Sequence, residues 1–421
     1  MPTPSLLLVP ARFKTGRLYS QIPTNTDNRG DFTVTRNTTA TRLNDAGVIE
    51  SVASGIPRLD YSVSGFVTGC PALLVEPAAT NEIRNNSNTN AVTGTPGTLP
   101  TNWTETLAGL TRSVIALGAE NGVQYIDIRL SGTANATEAL INFESPTQTV
   151  ASNGQVWTNS CFLKSISAPA PYTGLRLSTV ERTSGGIFVA SGNSPDLTLT
   201  STLNRFSFTR TLSGGGTVAR VQSRISFGLV SGTAYNFTVR IGYPQMELGS
   251  VATSVIPTTA GTGSRSADVI SVTGAVSGSI GQTEGTVYME VAVYSANKEL
   301  LSISSGGVNG EAIRIQTNSD GKLGAIALVS NSQVITTSSI NALNFGQFYK
   351  VAFAYKLNDY TLYIDGVVQT LTDVTGGVPV NMNKLAFARP NDSFIQDQRV
   401  RAAALYTTRL TNAELATLTT P

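Results

Sequence analysis

The side chains that could carry acid–base or nucleophilic chemistry are limited by one feature of the sequence: it contains no histidine. A Ser-His-Asp triad, a Cys-His pair, a two-histidine metal site and an imidazole base at neutral pH are therefore excluded. Any catalysis would have to depend on carboxylates, tyrosine or lysine.

Glu76 is the carboxylate whose surroundings could raise its pKa, because it lies in the apolar run "LLVEP". Glycoside hydrolysis, the reaction that uses such an acid, needs two carboxylates at a defined separation. No second acidic residue nearby suits the partner role. The sequence therefore predicts that Glu76 forms a buried pair with an arginine and that the protein is not an enzyme.

Arg36 and Arg42 lie in "FTVTRNTTATRLNDAGVIE", and Arg58 follows shortly after it. They could bind phosphate or pair across chains, but the first 84 residues hold eight basic and seven acidic residues. A nucleic-acid-binding region needs a clear basic excess. We therefore predict no nucleic-acid partner and structural ion pairs instead. The candidate acidic partners are Asp31, Asp45, Asp60 and Glu76.

Aromatic side chains are the groups that could stack on sugar rings, and the candidates with this role are Trp103, Tyr172 and Tyr294. Trp103 is favoured because it lies beside a loop-like stretch. The alternative for each is a position in the core, since large aromatic side chains at strand positions are usually mostly buried.

The composition predicts the fold class that must position these residues. Charged residues make up 13% and aromatic residues 7% of 421, and the chain has 39 glycines and a net charge of +2. Small polar, β-branched and turn-forming residues favour many short strands, so we expect an all-β protein. Cys70 and Cys161 are expected to be free thiols. No apolar run is long enough for a membrane span, and the first residues do not resemble a secretory signal.

Two stretches rich in turn residues divide the chain into three predicted segments. "NNSNTNAVTGTPGTLPTN" (85–102) and "PTTAGTGSRSADVISVTGAVSGSIGQTEG" (257–285) give segments 1–84, 85–258 and 259–421. Within the second stretch, Val269, Ile270 and Val272 indicate a strand.

Period-two alternation predicts strands in both later segments, and these strands favour antiparallel sandwiches. Asp365-Gly366 predicts a type I′ hairpin turn that returns through Val367, Gln369 and Leu371. Thr411 and Glu414 predict a capping box for a short C-terminal helix, with Leu410 and Leu415 as its hydrophobic staple. Pro244 is expected to end or break the strand that contains it. The clearest strands are "WTNSCFLKS" (157–165), "AYNFTVRIGYPQMEL" (234–248), "GTVYMEVAVYS" (285–295) and "FYKVAFAYK" (348–356).

Three longer stretches resemble known families. "NRGDFTVTRNTTATRLNDAGVIESVASGIPRLDY…CPALLVEPAATN" resembles a segment near the start of many tailed-phage structural proteins. "YPQMELGSVATSVIPT…SRSAD" resembles the close of carbohydrate-binding-like sandwiches in such proteins. "FGQFYKVAFAYKLNDYTLYIDGVV" and "AALYTTRLTNAELATL" are similar to concanavalin A-like (laminin G-type) jelly rolls. Asp320, Asp359, Asp392 and Asp397 show no calcium-ligand spacing, so neither a metal site nor a cofactor is predicted.

The resemblance implies a bacteriophage virion component, a tail fibre or other surface fibre, that forms a homotrimer. Residues 1–84 would attach it to other virion proteins, and the sandwiches would contact host cell-surface polysaccharide. Three alternatives remain open: a head-fibre or decoration protein that binds no glycan, a polysaccharide depolymerase, and a bacterial surface adhesin.

Overall fold

The computed structural model describes residues 2–22, 30–61, 70–167, 172–307, 310–369 and 376–421. The chain forms two compact units, and one is inserted into the other. Unit 1 consists of residues 1–78 and 266–421, and unit 2 of residues 79–265. Leu371, predicted to lie on the returning strand of the hairpin, falls outside the described residues.

Unit 1 begins with short strands that pair with strands from the far end of the sequence. The strands before the insertion are β1 (Leu6–Leu8), β2 (Phe13–Lys14), β3 (Arg17–Leu18), β4 (Phe32–Thr35), β5 (Ala40–Leu43), β6 (Ile49–Val52), β7 (Arg58–Asp60) and β8 (Ala72–Val75).

Unit 2 carries the next group of strands. They are β9 (Ala79–Asn81), β10 (Thr104–Thr106), β11 (Thr111–Glu120), β12 (Val123–Thr133), β13 (Glu138–Asn142), β14 (Thr149–Val150), β15 (Val156–Ser165), β16 (Gly174–Arg182), β17 (Phe188–Asn193), β18 (Asn204–Thr211), β19 (Arg220–Gly228), β20 (Ala234–Leu248) and β21 (Gly263–Arg265).

The chain then returns to unit 1. The elements there are β22 (Val269–Thr273), a 3-10 helix (Ala275–Ser279), β23 (Glu284–Val293), β24 (Lys298–Ser304), β25 (Ala312–Thr317), β26 (Lys322–Val329), β27 (Ser332–Ala342), β28 (Phe348–Lys356), β29 (Asp359–Ile364), β30 (Val367–Val368), β31 (Lys384–Ala386), β32 (Gln398–Tyr406) and α1 (Asn412–Thr419).

Unit 1 is an antiparallel sandwich. Within the described residues, one sheet runs β30-β29-β28-β23-β32-β8-β7, with β1 also paired to β32. The other runs β2-β3-β4-β22-β31-β24-β25-β26-β27. Their inner faces share one core, in which Val287, Met289 and Phe353 of the first sheet meet Ile313 and Ile315 of the second. The strand predicted at Val269–Val272 is confirmed as β22.

The predicted hairpin and C-terminal helix are both present. Asp365 and Gly366 have φ angles of 48° and 79°, as a type I′ turn requires. Thr411 and Glu414 form the capping box of α1. Leu410 and Leu415 are buried in a small second core beneath the helix.

Unit 2 is a second antiparallel sandwich. As far as the structure describes this unit, one sheet runs β11-β12-β20-β15-β18 and the other β10-β13-β19-β16-β17, with β14 also paired to β19. Leucine, isoleucine and phenylalanine side chains from both sheets fill the core between them. The all-β prediction, with antiparallel sandwiches and a short C-terminal helix, is confirmed.

Pro244 breaks the ladder locally but does not end the strand. β20 continues to Leu248, and its register with β15 shifts between Ser160 and Phe162. Tyr243, which precedes the proline, has a φ of 39°. The extra residues form a bulge, which is how a strand accommodates a proline that cannot donate to the ladder.

The unit boundaries differ from the three consecutive segments that the sequence predicted. Residues 1–78 are not a separate region, because β4 pairs with β22 and both β1 and β8 pair with β32. The two stretches rich in turn residues contribute to the units themselves, since Asn86 in the first and Arg265 in the second are both buried. Among the described residues, no helix is long and apolar enough to cross a membrane.

Candidate functional site

The outer face of the sheet β10-β13-β19-β16-β17 in unit 2 carries an unusual set of polar side chains. In β19, Val221, Ile225 and Phe227 point into the core. Since side chains alternate along a strand, Arg220, Gln222, Arg224 and Ser226 point outward. We call this outward surface, with its counterparts on β13, β16 and β17, the polar face.

The strand register places these side chains in rows. Arg224 lies opposite Asn142 of β13 on one side and Ser178 of β16 on the other. Arg220 lies opposite Arg182 of β16, and Arg182 lies opposite Phe188 of β17. Directly opposed residues of an antiparallel pair share one face of the sheet. The polar members of this face are Glu138, Asn142, Arg176, Ser178, Arg182, Ser191, Asn193, Arg220, Gln222, Arg224 and Ser226, and the apolar Leu140, Val180 and Phe188 lie among them.

A cleft of about 380 Å³ opens at one end of the polar face. Two opposed glycines, Gly174 and Gly228, leave room for it. A Cβ at Gly174 would lie 2.8 Å from Asp196 Oδ1, and a Cβ at Gly228 would lie 2.7 Å from Thr173 Oγ1. The cleft is lined by Thr137, Glu138, Thr173, Gly174, Arg176, Ser226 and Gly228.

The cleft presents hydroxyl, carboxylate and guanidinium groups to solvent. Ser226 Oγ donates to Glu138 Oε1, which fixes that carboxylate against the sheet. Arg176 Nε pairs with Asp196 Oδ1 at 2.5 Å, and both side chains are about half exposed. This mixture of donors and acceptors suits a ligand rich in hydroxyl groups.

Arg182, Arg220 and Arg224 form a cluster of cations on the polar face. No carboxylate within the described residues lies within ion-pair distance of any of them, whereas most other arginines of both units have such a partner. Burial lowers the pKa of Arg224, and nearby Glu138 opposes that effect. Burial, followed by the positive charge of Arg224, lowers the pKa of Arg182.

Two backbone carbonyl groups beside this cluster, those of Glu144 and Gly186, accept hydrogen bonds from the polar face. Gln222 Nε2 donates to the carbonyl oxygen of Glu144, whose carboxylate is held by Arg84. Arg182 donates from Nε to Gln222 and from Nη1 to the carbonyl oxygen of Gly186. These hydrogen bonds of Arg182 are with neutral groups, so none of the residues that the structure describes neutralises its charge.

The aromatic residues predicted as sugar contacts lie elsewhere or point inward. Trp103 is 6% exposed and packs edge-on against Phe143 in the core, so its ring offers no face to a ligand. Tyr172 adjoins Thr173 of the cleft, but its half-buried ring packs against Phe237, and burial raises its pKa to about 12. Tyr294 belongs to unit 1, where the Arg399 guanidinium lies 4.5 Å from its ring centre.

Arg36, Arg42 and Arg58 each form an ion pair, with partners that differ in part from those predicted. Arg58 pairs with Glu76 at 2.6 Å, as the apolar setting of Glu76 indicated, and also with Asp268. Arg36 pairs with Asp268 at 2.9 Å. Arg42 pairs with Glu50 across the β5–β6 hairpin at 2.7 Å. Asp268 was missed because it lies more than 200 residues from both of its arginines, and no local pattern connects them.

Sequence reasoning also missed the polar face, although a signal was present. In "ARVQSRISFG" (219–228) polar and apolar residues alternate as in a half-buried strand, with two arginines on the polar positions. The arginine opposite them, Arg182, comes from another strand, and only the strand register brings it there. In the part of the chain that the structure describes, no group of three acidic or cysteine side chains could hold a metal ion.

No protein-family model matches the sequence, and neither does any curated protein. Solved structures that match part of this chain include the Ruminococcus gnavus IT-sialidase CBM40 bound to alpha2,3 sialyllactose (TM-score 0.28, 17% identity, 34% of this chain and 84% of that chain). Another is domain 4 of AbnA, a GH43 extracellular arabinanase from Geobacillus stearothermophilus, in complex with arabinotriose (TM-score 0.32, 13% identity, 41% and 83%). The SAP-like pentraxin from Limulus polyphemus is a third (TM-score 0.28, 16% identity, 32% and 70%). These TM-scores are too low to establish a common fold or a common ligand.

Proposed function

We propose that this chain is a non-enzymatic component of a bacteriophage virion, a tail fibre or other surface fibre, and that its unit 2 binds host-surface glycan. The observation that carries glycan binding is the cleft on the polar face. Its walls combine the hydroxyls of Thr137, Thr173 and Ser226 with the charges of Glu138 and Arg176. A saccharide presents matching hydroxyl donors and acceptors, and a cleft of this volume holds a ligand of one or a few sugar rings.

The virion assignment is supported by the sequence resemblance of residues 31–81 to the start of tailed-phage structural proteins. By the same resemblance the protein assembles as a homotrimer, is located in the virion and contacts other virion proteins through its N-terminal region. Several copies on one particle would strengthen individually weak contacts with a repeating polysaccharide through avidity.

Binding of the full chain to purified host surface polysaccharides, measured by biolayer interferometry against neutral and acidic glycans, tests glycan recognition. Arg176→Ala should weaken binding, because it removes a cation from the cleft wall while breaking only an exposed ion pair. The matched control is Lys356→Ala, which breaks a similarly exposed pair with Glu284 in unit 1 and should leave affinity unchanged. Equal affinities of Arg176→Ala and the unaltered chain would place the ligand elsewhere.

The mass of the purified chain by light scattering after size exclusion tests assembly. A trimer is expected, and a monomer would contradict trimerisation by this chain alone. The absence of binding to any host polysaccharide would favour a head-fibre or decoration protein with a spacer role.

Release of new reducing ends from the bound polysaccharide would reveal a depolymerase. Glu82 is the residue to replace in that case, because burial and the neighbouring Glu144 carboxylate raise its pKa. If the protein is not an enzyme, the reducing-end signal stays at the background and Glu82→Gln does not change it.

A further inference from the structure

We propose that the glycan bound by the polar face is an acidic polysaccharide, and that its anionic groups pair with Arg182, Arg220 and Arg224. This rests on the proposed glycan binding by unit 2 and specifies the chemical class of the ligand. The anionic group can be a carboxylate, a sulfate or a phosphate, all of which match the planar donor geometry of a guanidinium.

The row Asn142–Arg224–Ser178 holds polar groups that the fold leaves unsatisfied. Arg224 makes no ion pair or side-chain hydrogen bond with the described residues. Ser178 is fully buried and its hydroxyl has no hydrogen-bond partner there, and neither does Asn142 Oδ1. Ser178 is too deeply buried for a ligand to reach, but Asn142 and Arg224 are partly exposed. A ligand at the surface of this row can therefore pair with the Arg224 guanidinium, which the fold leaves without a carboxylate among the described residues.

The next pair of opposed residues, Arg182 and Arg220, places two like charges directly across β16 and β19. Like charges in that position destabilise a sheet unless something compensates them. Among the described residues, Arg220 donates only to the backbone carbonyl oxygen of Ala219, and the hydrogen bonds of Arg182 are with Gln222 and Gly186. An anion between the guanidiniums would supply the missing charge.

An exposed aromatic ring lies at the edge of this cluster. Phe188 is opposite Arg182 on β17 and is 55% exposed. A flat apolar ring beside cationic donors suits a charged sugar, whose C–H bonds pack on the ring while its acid group pairs with the arginine.

The opposite sheet of unit 2 provides an internal comparison. Arg129 of β12 also lacks a carboxylate partner, but its cross-strand neighbours are the uncharged Ser113 and Thr238. Two cations on that sheet are neutralised: Arg240 and Lys164 pair with Glu120, and Arg240 also pairs with Asp127. Among the described residues, the polar face thus brings together three arginines without an ion pair, whereas Arg129 has no charged neighbour opposite it.

The experiment measures binding of the full chain to polygalacturonate and to the same polymer after reduction of its carboxyl groups to alcohols. A second arm compares dextran sulfate with dextran. Binding to a charged polymer and not to its neutral counterpart is expected, and the arm that responds identifies a carboxylate or a sulfate type of ligand. Added salt should weaken this binding, because ions screen the exposed charges.

The variants Arg220→Gln and Arg224→Gln should each weaken binding roughly tenfold, since each removes a charge-assisted contact. Phe188→Ala should weaken it also. Neither arginine forms an ion pair with the described residues, so the thermal unfolding of both variants should stay close to that of the unaltered chain. Arg129→Gln removes the same charge from the opposite sheet and should bind normally.

Equal binding to the acidic and the carboxyl-reduced or unsulfated polymers would overturn the inference while leaving glycan binding intact. Binding to a neutral host glycan alone would also overturn the inference. Equal losses of affinity in Arg129→Gln and Arg224→Gln would do the same. Failure to bind any glycan would contradict the proposed function as well. Preferential binding to DNA over acidic polysaccharide would assign the cluster to phosphate backbones instead and would also overturn the inference.

Discussion

Four charged residues form ion pairs in unit 1 near the points where the chain leaves for unit 2 and returns from it. They are Arg36, Arg58, Glu76 and Asp268. All four are buried, and Asp268 bridges both guanidiniums. Asp268 also accepts from the backbone N–H of Glu76, and its own N–H donates to the Glu76 carbonyl oxygen. A buried network of this kind depends on every member, because a charge left without its partner is costly in a low dielectric.

Asp268→Ala should lower the free energy of unfolding of unit 1 by about 3–5 kcal/mol, the range for breaking a buried ion pair from one side. Chemical denaturation of the full chain measures this. The control is Glu50→Ala, which breaks the Arg42–Glu50 pair, whose side chains are 20% and 37% exposed. A change within about 1 kcal/mol is expected there. Similar losses in the two variants would contradict a structural role for the buried network.

The two cysteines should differ in reactivity. Cys70 is exposed, whereas Cys161 is buried and burial raises the pKa of its thiol. Since the thiolate is the reactive form, a chromogenic thiol reagent should label one cysteine in the native protein and the second only in denaturant. Cys70→Ser should abolish the native reaction. Rapid labelling of Cys161 in the native state would show that unit 2 opens more readily than its packing indicates.

The elements show which parts of the fold the sequence can predict. The hairpin at Asp365-Gly366 and the capping box of α1 were predictable because their signals are local: two positive φ angles, and a side chain that reaches three residues on. The pairing of β8 with β32 and of β4 with β22 could not be predicted, because strands with the same alternation of polar and apolar residues can pair in many combinations. The polar face depends on such pairing, so only part of it could be recognised from β19.

Gly366→Ala tests the hairpin turn. The φ of 79° disfavours any residue with a Cβ, while the nearest atom to that Cβ would be 3.8 Å away, so the cost is conformational rather than steric. We expect a loss of about 1–2 kcal/mol in the stability of unit 1. Gly216→Ala, in a loop with open space and no positive φ, should change stability little. If Gly366→Ala left the stability of unit 1 unchanged, the turn would have to adopt another conformation in solution.

At the scale of the whole molecule, unit 2 enters and leaves through neighbouring strands. β9 pairs with β21, with Ala79 opposite Arg265, so the two ends of unit 2 lie side by side. In unit 1, the backbone N–H of Asp268 donates to the carbonyl oxygen of Glu76. Each unit also has its own core. A domain that folds separately has its own core and chain ends that lie close together. Both units meet these two conditions, so we expect each to fold without the other.

Replacing residues 79–265 with a short glycine-serine linker should leave unit 1 folded, and residues 79–265 expressed alone should also fold. Circular dichroism with thermal unfolding measures both. If the proposed glycan binding by unit 2 is correct, unit 2 alone should bind a soluble oligosaccharide as tightly as the full chain does. An excised unit 1 without a cooperative transition would show that its core needs the insert.

The same insertion has a mechanical consequence. If a molecule is pulled by handles fixed near Leu6 and Leu415, both anchor points belong to unit 1, and β1 is peeled from β32 first. Tension reaches unit 2 only after β8 and β22 have been torn from their neighbours. Optical-trap extension should therefore record unit 1 yielding before unit 2 in every trace, whatever their relative stabilities. A chain arranged in this way protects the inserted unit 2 from load until unit 1 has unfolded.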